Sequence, residues 1–145
     1  MAKADDQKSD VAGWLLKTEP THYSYSDLEK EGKTTWDGVT NNLALSNIRR
    51  IKKGDSLIIY HTGEEKAIAG LAEAISQAYP DPKANDPKIV VVDIKAKKKA
   101  ARRITLADVK KLPDLASSPL VRLPRLSVMP LTGKEWKKLT ELAGL

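Results

Sequence analysis

Apolar residues along the chain fall into short runs that are rich in branched side chains and are separated by turn-forming residues. Runs of this length and composition favour strands, because β-branched and aromatic side chains fit a pleated, half-buried surface. The first run ends at Glu19-Pro20, since the residue before a proline resists helical geometry. We therefore predict strands over 13–18, 56–62, 67–75 and 89–94.

Other segments repeat apolar residues at helical spacing behind residues that cap helices well. Thr105 with Asp108, and Thr132 with Glu135, have the spacing of a capping box, in which each residue's side chain binds the other's backbone N–H. Gly32 and Pro113 are typical helix stops. The helices predicted in this way cover 24–31, a segment from Asn41 or Asn42 to Ile51, 105–112, and a last segment that begins after Thr132.

The order of these elements indicates the fold class. Strands that are mostly adjacent in sequence, with short helices at intervals, predict an α+β domain built on a curved sheet or small barrel. The segment 79–87 holds three prolines and is predicted to be a polar loop outside the sheet, whereas Arg102-Arg103-Ile104 is predicted to extend the sheet after a turn. Residues 1–10 have little to bury and are predicted to be a disordered tail before one domain over 11–145.

Composition narrows the function classes. The 145 residues include no cysteine, so disulfides, thiolate metal sites and cysteine nucleophiles are excluded. The net charge is +6, which suits a polyanion such as nucleic acid, although a modest positive charge also serves solubility alone. No stretch has the pattern of a signal peptide or a membrane span, so we expect a cytoplasmic protein without a membrane partner.

Catalytic motifs are scarce. The two histidines are His22 and His61, and neither has a spacing to Glu19 or Asp37 that demands a metal. No phosphate loop or dinucleotide fingerprint is present, so we predict no cofactor and no metal. The enzymatic alternative is a small hydrolase or nuclease in which His61 works with a carboxylate.

A basic segment over 95–103 carries six positive charges in nine residues. Such a run can contact several phosphates, and binding through it would weaken with salt. The alternative is a solvated hairpin edge on which lysines prevent strand-to-strand association. The candidate phosphate-binding residues are Lys97, Lys98, Lys99, Arg102 and Arg103.

Trp36 belongs to a Trp-Asp-Gly-Val segment that lies between predicted elements rather than inside an amphipathic repeat. In a loop, a tryptophan face can stack on a base while Asp37 or Asn41 reads its edge. The alternative is a tryptophan that closes the end of the barrel. Trp14 and Trp136 are predicted to lie in the core or along its rim.

Six motifs occur in series: 14–20 (WLLKTEP), 36–39 (WDGV), 60–63 (YHTG), 70–73 (GLAE), 79–81 (YPD) and 125–130 (RLSVMP). Together they resemble the EVE domain, in its bacterial form, from about Gly13 to Leu145. EVE domains belong to the PUA-like superfamily and are related to YTH domains. The resemblance implies a strongly bent mixed β-barrel of about five to six strands with peripheral short helices.

The resemblance also implies a base-binding pocket. In it Trp36 would stack on the base, backbone groups near Val39 and the Asn41 side chain would read its edge, Ser127 or Thr18 would add small polar contacts, and Arg125 would hold a phosphate. The residues expected around this pocket are Lys17, Thr18, Trp36, Asp37, Gly38, Val39, Asn41, Tyr60, His61, Thr62, Arg125, Leu126 and Ser127.

By the same resemblance, the chain is expected to be a non-catalytic, monomeric reader of a modified base, with modified cytosine in DNA favoured. The segment Thr40–Leu43 departs from a common family form, which reads arginine, asparagine, tyrosine, glutamine. We therefore expect a less aromatic pocket, and whether the preferred base differs from that of those members stays open. The alternative function is a general PUA-type RNA-binding module without selectivity for a modified base.

Overall fold

The computed structural model describes residues 11–145, and the tail predicted over 1–10 lies outside the described residues. Seven strands and five α-helices follow one another in a mixed order. The strands are β1 (Val11–Thr18), β2 (Lys33–Trp36), β3 (Ser56–His61), β4 (Ala67–Ala74), β5 (Tyr79–Pro80), β6 (Val90–Lys99) and β7 (Val128–Thr132). The helices are α1 (Tyr25–Glu31), α2 (Asn42–Arg50), α3 (Leu106–Lys110), α4 (Pro119–Arg122) and α5 (Gly133–Ala143), with a short 3-10 turn at Pro113–Leu115.

The strands form one mixed sheet in the order β2-β6-β4-β3-β1-β7, and β5 adds a short pairing to β6. β1 and β3 run parallel, whereas the other pairs run antiparallel. Register shifts between Ile59 and Tyr60 and between Leu71 and Ala72 mark irregularities that bend a strand and increase its twist. The predicted α+β class is confirmed, with a curved sheet that stays open between β2 and β7 over the described residues.

Helix α2 lies across this opening. It packs against β6 on one side and β7 on the other, and its own Leu45 and Ile48 side chains are almost fully buried in the core. Asn47 fixes the helix to β7 because its buried Nδ2 donates to the Val128 carbonyl at 2.7 Å. The helix thereby covers the apolar interior that an open sheet would expose to water.

Helix α1 docks on the sheet through Tyr25. The Tyr25 hydroxyl donates to the Leu71 carbonyl at 2.6 Å, and its ring lies against Gly70 on β4. A Cβ at Gly70 would lie 2.4 Å from a ring carbon, so this contact requires glycine. None of the helices within 11–145 combines the length and apolar character needed to cross a bilayer.

The predicted helix starts are confirmed by their caps. Ser24, Thr105 and Thr132 each accept a hydrogen bond from the backbone N–H three residues on, and in each case that residue's carboxylate accepts the N–H of the cap. Asn41 caps α2 through its side-chain oxygen, which accepts from the Ala44 N–H at 3.0 Å. The four predicted strands are also present, with ends shifted by a few residues.

Several local predictions are wrong. Trp36 is the last residue of β2 rather than part of a loop, because Lys33–Trp36 pairs with β6. The polar loop after Ile75 contributes Tyr79–Pro80 to the sheet, since proline can occupy an edge position that needs no ladder N–H. Residues 95 to 99 continue β6, and the segment 102–104 forms no strand, although the Ile104 carbonyl accepts from the Ile68 N–H at 2.9 Å.

Candidate functional site

The ends of the parallel strands β1 and β3 form the centre of the predicted pocket. Lys17 lies opposite Tyr60 and Thr18 opposite His61, so the two strands end side by side. The Thr62 N–H donates to the Thr18 carbonyl at 2.9 Å, and the Lys17 N–H donates to the Ser127 carbonyl at 2.9 Å. Three segments that are far apart in sequence therefore meet at this edge of the sheet.

A cavity of about 330 Å³, which we call the Trp36 cleft, opens beside this edge. Its lining is aromatic and polar and consists of Thr18, His22, Tyr23, Thr34, Thr35, Trp36 and Asp37. Thr18 is on β1 and Trp36 on β2, and three strands separate these two in the sheet. Adjacent strands lie about 4.8 Å apart, so a flat sheet would hold β1 and β2 roughly 19 Å from each other. The curl of the sheet is what closes the cleft.

Trp36 is only 7% exposed, so it is a core residue that also contributes to the cleft wall. The Tyr23 ring packs edge-on against the indole at 6.2 Å between centroids, with an interplanar angle of 81°. A hydrogen bond fixes the backbone of Tyr23 to β1, because the Thr18 hydroxyl donates to the Tyr23 carbonyl at 2.7 Å. A ring that enters the cleft and lies flat on Trp36 would have to displace part of this cover.

A second cavity of about 340 Å³, which we call the leucine cleft, opens near the first. It is lined by Asn41, Leu43, Arg122, Leu123, Pro124, Arg125 and Leu126. Three predicted pocket residues, Asn41, Arg125 and Leu126, thus lie here rather than in the Trp36 cleft. The Asn41 oxygen is occupied by its cap bond to Ala44, which leaves the amide hydrogens as its donors for a ligand.

Lys17 and the segment 37–41 connect the two clefts. The Lys17 ammonium donates to the Pro124 carbonyl at 2.9 Å and lies 5.6 Å from the centre of the Tyr60 ring. Burial lowers the pKa of Lys17 and raises the pKa of Tyr60 to about 12. Gly38 has φ of 78°, a left-handed conformation that lets the chain turn from Asp37 to the start of α2. Val39 is buried within this turn.

His61 faces a different cavity, of about 310 Å³, which it shares with Lys99, Arg102 and Arg103. Its Nε2 accepts the Tyr25 N–H at 2.9 Å, and its Nδ1 lies 2.9 Å from a Glu65 carboxylate oxygen. Because Nε2 is an acceptor, the proton of the neutral ring is on Nδ1, where it bonds to Glu65. Both ring nitrogens are engaged, which is the arrangement of a structural histidine.

The predicted phosphate-binding residues divide into two groups. Lys97 lies 3.2 Å from Glu73, and a hydrogen bond from Lys97 is the main cause of the lowered pKa of Glu73. Arg102 donates to the carbonyls of Glu141 and Leu142 at 2.7 and 2.8 Å, so it caps α5. The remaining residues, Lys98, Lys99 and Arg103, form no ion pair with any residue in 11–145.

Lys98 and Lys99 lie at the far end of β6 from Trp36, and Arg103 follows after the end of that strand. Trp36 pairs with Val92, and six residues of extended chain separate Val92 from Lys98. At about 3.3 Å per residue this is roughly 20 Å. β2 pairs with β6 only as far as Lys95, whereas β4 pairs with β6 up to Lys99. Lys97–Lys99 therefore have a described strand on one side only.

Sequence reasoning missed several lining residues. His22, Tyr23, Thr34 and Thr35 line the Trp36 cleft, and no spacing singled them out because the curl of the sheet brings them together. The sequence does carry a sign of the leucine cleft in 120–125, which reads Leu-Val-Arg-Leu-Pro-Arg. This segment places one arginine on each side of Leu123-Pro124. Within residues 11–145, no three His, Asp or Glu side chains converge as metal ligands would.

Comparison with known proteins gives consistent matches. Human thymocyte nuclear protein 1 is 31% identical over 157 residues, which cover 85% of this chain and 70% of the human protein. A Rhodopseudomonas palustris protein solved by NMR is 42% identical with a TM-score of 0.87, covering 92% of this chain and 94% of that one. Human THYN1 protein, crystallised in complex with 5-methylcytosine-containing DNA, is 29% identical with a TM-score of 0.84, covering 92% and 98% of the two chains.

The family model of the EVE domain matches residues 12–142, which is nearly all of the part that the structure describes. The match includes both clefts, the parallel ends of β1 and β3, and the strand that carries the basic run. The predicted resemblance is confirmed, and the chain belongs to the EVE domain family.

Proposed function

We propose that this protein is a non-catalytic nucleic-acid-binding module that holds one modified base in the Trp36 cleft, most readily a modified cytosine in DNA. The observation that carries the proposal is the cleft itself, which sets two aromatic rings, several hydroxyl groups and the Asp37 carboxylate around a space of about 330 Å³. The likeness to human THYN1 protein, which was crystallised with 5-methylcytosine-containing DNA, supports the choice of ligand.

The chemistry of the lining fits a cytosine. Cytosine presents an exocyclic amino donor that a carboxylate accepts well, and Asp37 supplies a carboxylate in the cleft. The Thr18 and Thr35 hydroxyls already donate to the Tyr23 carbonyl and the Asp93 carboxylate, so their oxygens remain as acceptors for the base edge. The methyl groups of the lining threonines can contact a methylated ring carbon. Trp36 and Tyr23 form the aromatic part of the wall, on which a base gains stacking energy.

The surrounding cations fit a nucleic-acid backbone. Arg125 and Lys17 lie at the rim of the clefts, and Lys98, Lys99 and Arg103 offer a second group of positive charges along the sheet. The engaged nitrogens of His61 support a binding role over the hydrolase or nuclease alternative, since a general base needs a free lone pair near the substrate.

The first experiment is a titration of tryptophan fluorescence at fixed salt. Oligonucleotides carry unmodified cytosine, 5-methylcytosine, 5-hydroxymethylcytosine or N6-methyladenine, each as DNA and as RNA. A selective response to one modified base in DNA is the expected result. Equal responses to modified and unmodified strands would contradict base reading, and a preference for structured RNA would establish the general PUA-type alternative.

The role of Trp36 is tested with Trp36→Phe rather than Trp36→Ala, because removing a buried indole would cost several kcal/mol of stability. The smaller ring is expected to weaken binding of the preferred oligonucleotide by about 1 kcal/mol, at the low end of base–aromatic stacking. Trp136→Phe on α5 is the matched control, since that indole lines neither cleft. Equal losses from the two variants would remove Trp36 from the binding site.

A further inference from the structure

The leucine cleft carries apolar surface that the fold does not use. Leu43 is 51% exposed and Leu123 is 45% exposed, and within the described chain they are the large apolar residues left open to water. They come from different elements, the first turn of α2 and the end of α4, yet they line one cavity. Single exposed apolar residues are common on proteins, but a paired patch beside a cleft is typical of an interaction surface.

Positive charge frames this patch. Arg122 and Arg125 line the same cavity as the two leucines, and Lys17 reaches the cavity wall through its bond to the Pro124 carbonyl. No ion pair joins either arginine to another residue in the described part of the chain. An apolar centre with unpaired cations around it matches a partner that presents flat apolar faces between anionic groups, as stacked bases between phosphates do.

We propose that Leu43 and Leu123 form an apolar wedge that enters duplex DNA next to the nucleotide held in the Trp36 cleft, while Arg122 and Arg125 bind the flanking phosphates. This inference rests on the proposed function, because a base within a duplex reaches the Trp36 cleft only by leaving the stack. Its departure unstacks the neighbouring bases, and the exposed leucines replace part of the lost contact. The charged frame then fixes the position of the strand.

The same charges disfavour a second copy of this chain as the occupant. Two copies that bury their leucine clefts against each other would bring four arginines together, and like charges at an interface are costly. DNA, in contrast, can contact the leucines with its bases and the arginines with its phosphates. The position of the wedge also agrees with the sequence, since Asp37 in the Trp36 cleft and Asn41 in the leucine cleft are four residues apart.

The experiment compares duplex and single-stranded DNA with the Leu43→Ala/Leu123→Ala variant of the full chain. The duplexes carry one 5-methylcytosine beside 2-aminopurine, a base whose fluorescence rises when it is unstacked. The wild-type protein is expected to raise this fluorescence, and the variant to lose that rise together with about tenfold of its duplex affinity. Affinity for the single strand should change less than about twofold, since no stack has to be opened.

Control variants separate the wedge from general effects. Leu142→Ala changes a partly exposed leucine on α5 that lines neither cleft and should leave both affinities unchanged. Arg122→Ala/Arg125→Ala should weaken duplex and single-strand binding together and lower the salt dependence. Thermal melts of all variants exclude a loss of fold.

Three outcomes would overturn the wedge: equal losses on duplex and single strand, an unchanged 2-aminopurine signal with the leucine variant, or a wild-type dimer that the leucine variant dissociates without loss of DNA affinity. Failure of the proposed function looks different, because the wild-type protein would then bind modified and unmodified single strands equally. A duplex with one mismatched pair still tests the wedge in that case, since a mismatched base leaves the stack easily.

Discussion

His61 connects three elements through a single buried imidazole. It stands at the end of β3, accepts the first N–H of α1 from Tyr25, and bonds to Glu65 in the turn before β4. A backbone N–H that loses its partner in a buried place costs about 1–3 kcal/mol. The ring therefore fixes the position of α1 on the sheet.

We expect His61→Ala to lower the free energy of unfolding by about 1–3 kcal/mol, because the buried Tyr25 N–H is left without an acceptor. His61→Gln retains a side-chain acceptor and should lose less. Urea denaturation followed by circular dichroism measures both. A variant that stays as stable as the wild type, but loses a hydrolytic turnover present in the wild type, would instead revive the enzymatic alternative.

Tyr23 and Tyr60 give the protein a distinct alkaline titration. Burial is the main cause that raises the pKa of each to about 12, well above the ordinary tyrosine value of about 10. Because the pKa is higher in the folded state, each tyrosine contributes its full stabilisation of the fold below the ordinary tyrosine pKa. This contribution is lost as the pH rises through about 12. Tyrosinate absorbance should therefore show late-titrating groups in the folded protein. Simultaneous titration of all tyrosines near the ordinary value would contradict the burial of Tyr60.

At the scale of elements, α1 depends on its capping box because seven residues form a marginal helix. Ser24→Ala removes the acceptor for the Asp27 N–H, which should cost about 1 kcal/mol of stability. Ser26→Ala, an exposed change in the same helix, is the matched control. Chemical denaturation of the two variants should separate them, and equal stabilities would show that tertiary contacts alone hold α1.

The same box makes stability depend on acidity. The backbone N–H of Ser24 binds the carboxylate of Asp27 and lowers its pKa, and Thr105 does the same for Asp108 on α3. A lowered pKa in the folded state stabilises the fold above the ordinary aspartate value, and this contribution disappears as the pH falls through the lower folded-state value. Acid unfolding of the wild type should show this loss, and Ser24→Ala should reduce it.

These elements differ in how well sequence predicts them. The helix starts followed from Ser24, Thr105 and Thr132, because a cap and its partner are local and three residues apart. β2 was missed because Lys33–Trp36 is short and three of its four residues are polar, so only its pairing with β6 makes it a strand. Pairing between distant segments has no local signature, and the loop assignment of Trp36 was wrong for that reason.

At the scale of the molecule, the basic edge of β6 and the Trp36 cleft are roughly 20 Å apart along β6, which is about six base pairs of duplex. One DNA molecule can therefore span both. We expect Lys98→Ala/Lys99→Ala to weaken binding of all sequences alike and to reduce the salt slope by about 2, since each phosphate contact contributes about 0.9. Lys97→Ala, which removes a lysine already paired with Glu73, should change the slope much less.

The measurement is the affinity for unmodified and modified oligonucleotides over a range of salt concentrations. A slope that is unchanged in the double variant would place the basic edge outside the interface. A loss confined to modified DNA would contradict a role in phosphate binding, because phosphates carry no information about the base.

Sequence predicted fewer than half of the residues that line each candidate cleft, and it did not predict how they are arranged. The family motifs indicated the residues at the ends of β1 and β3 and around Trp36, but the structure distributes them over separate cavities, with His61 beside Lys99 and Asn41 beside Leu43. The spacing of residues along the sequence does not predict how a sheet curls, and the curl decides which residues share a cavity. Tyr23 and Thr35 were therefore missed, although they lie next in sequence to Ser24 of the predicted helix and to Trp36.

Because the curl of the sheet brings Thr18 and Trp36 to the same cleft, a ligand bound there would contact two distant strands at once. β2 has a single hydrogen-bonded neighbour, β6, whereas Thr18 belongs to β1 at the other arm. A base held between β1 and β2 would link two strands that share no hydrogen bonds with each other. Its effect would appear first in the slowed hydrogen exchange of the amides of Lys33–Trp36, which form an edge strand, while β4 at the centre would change little.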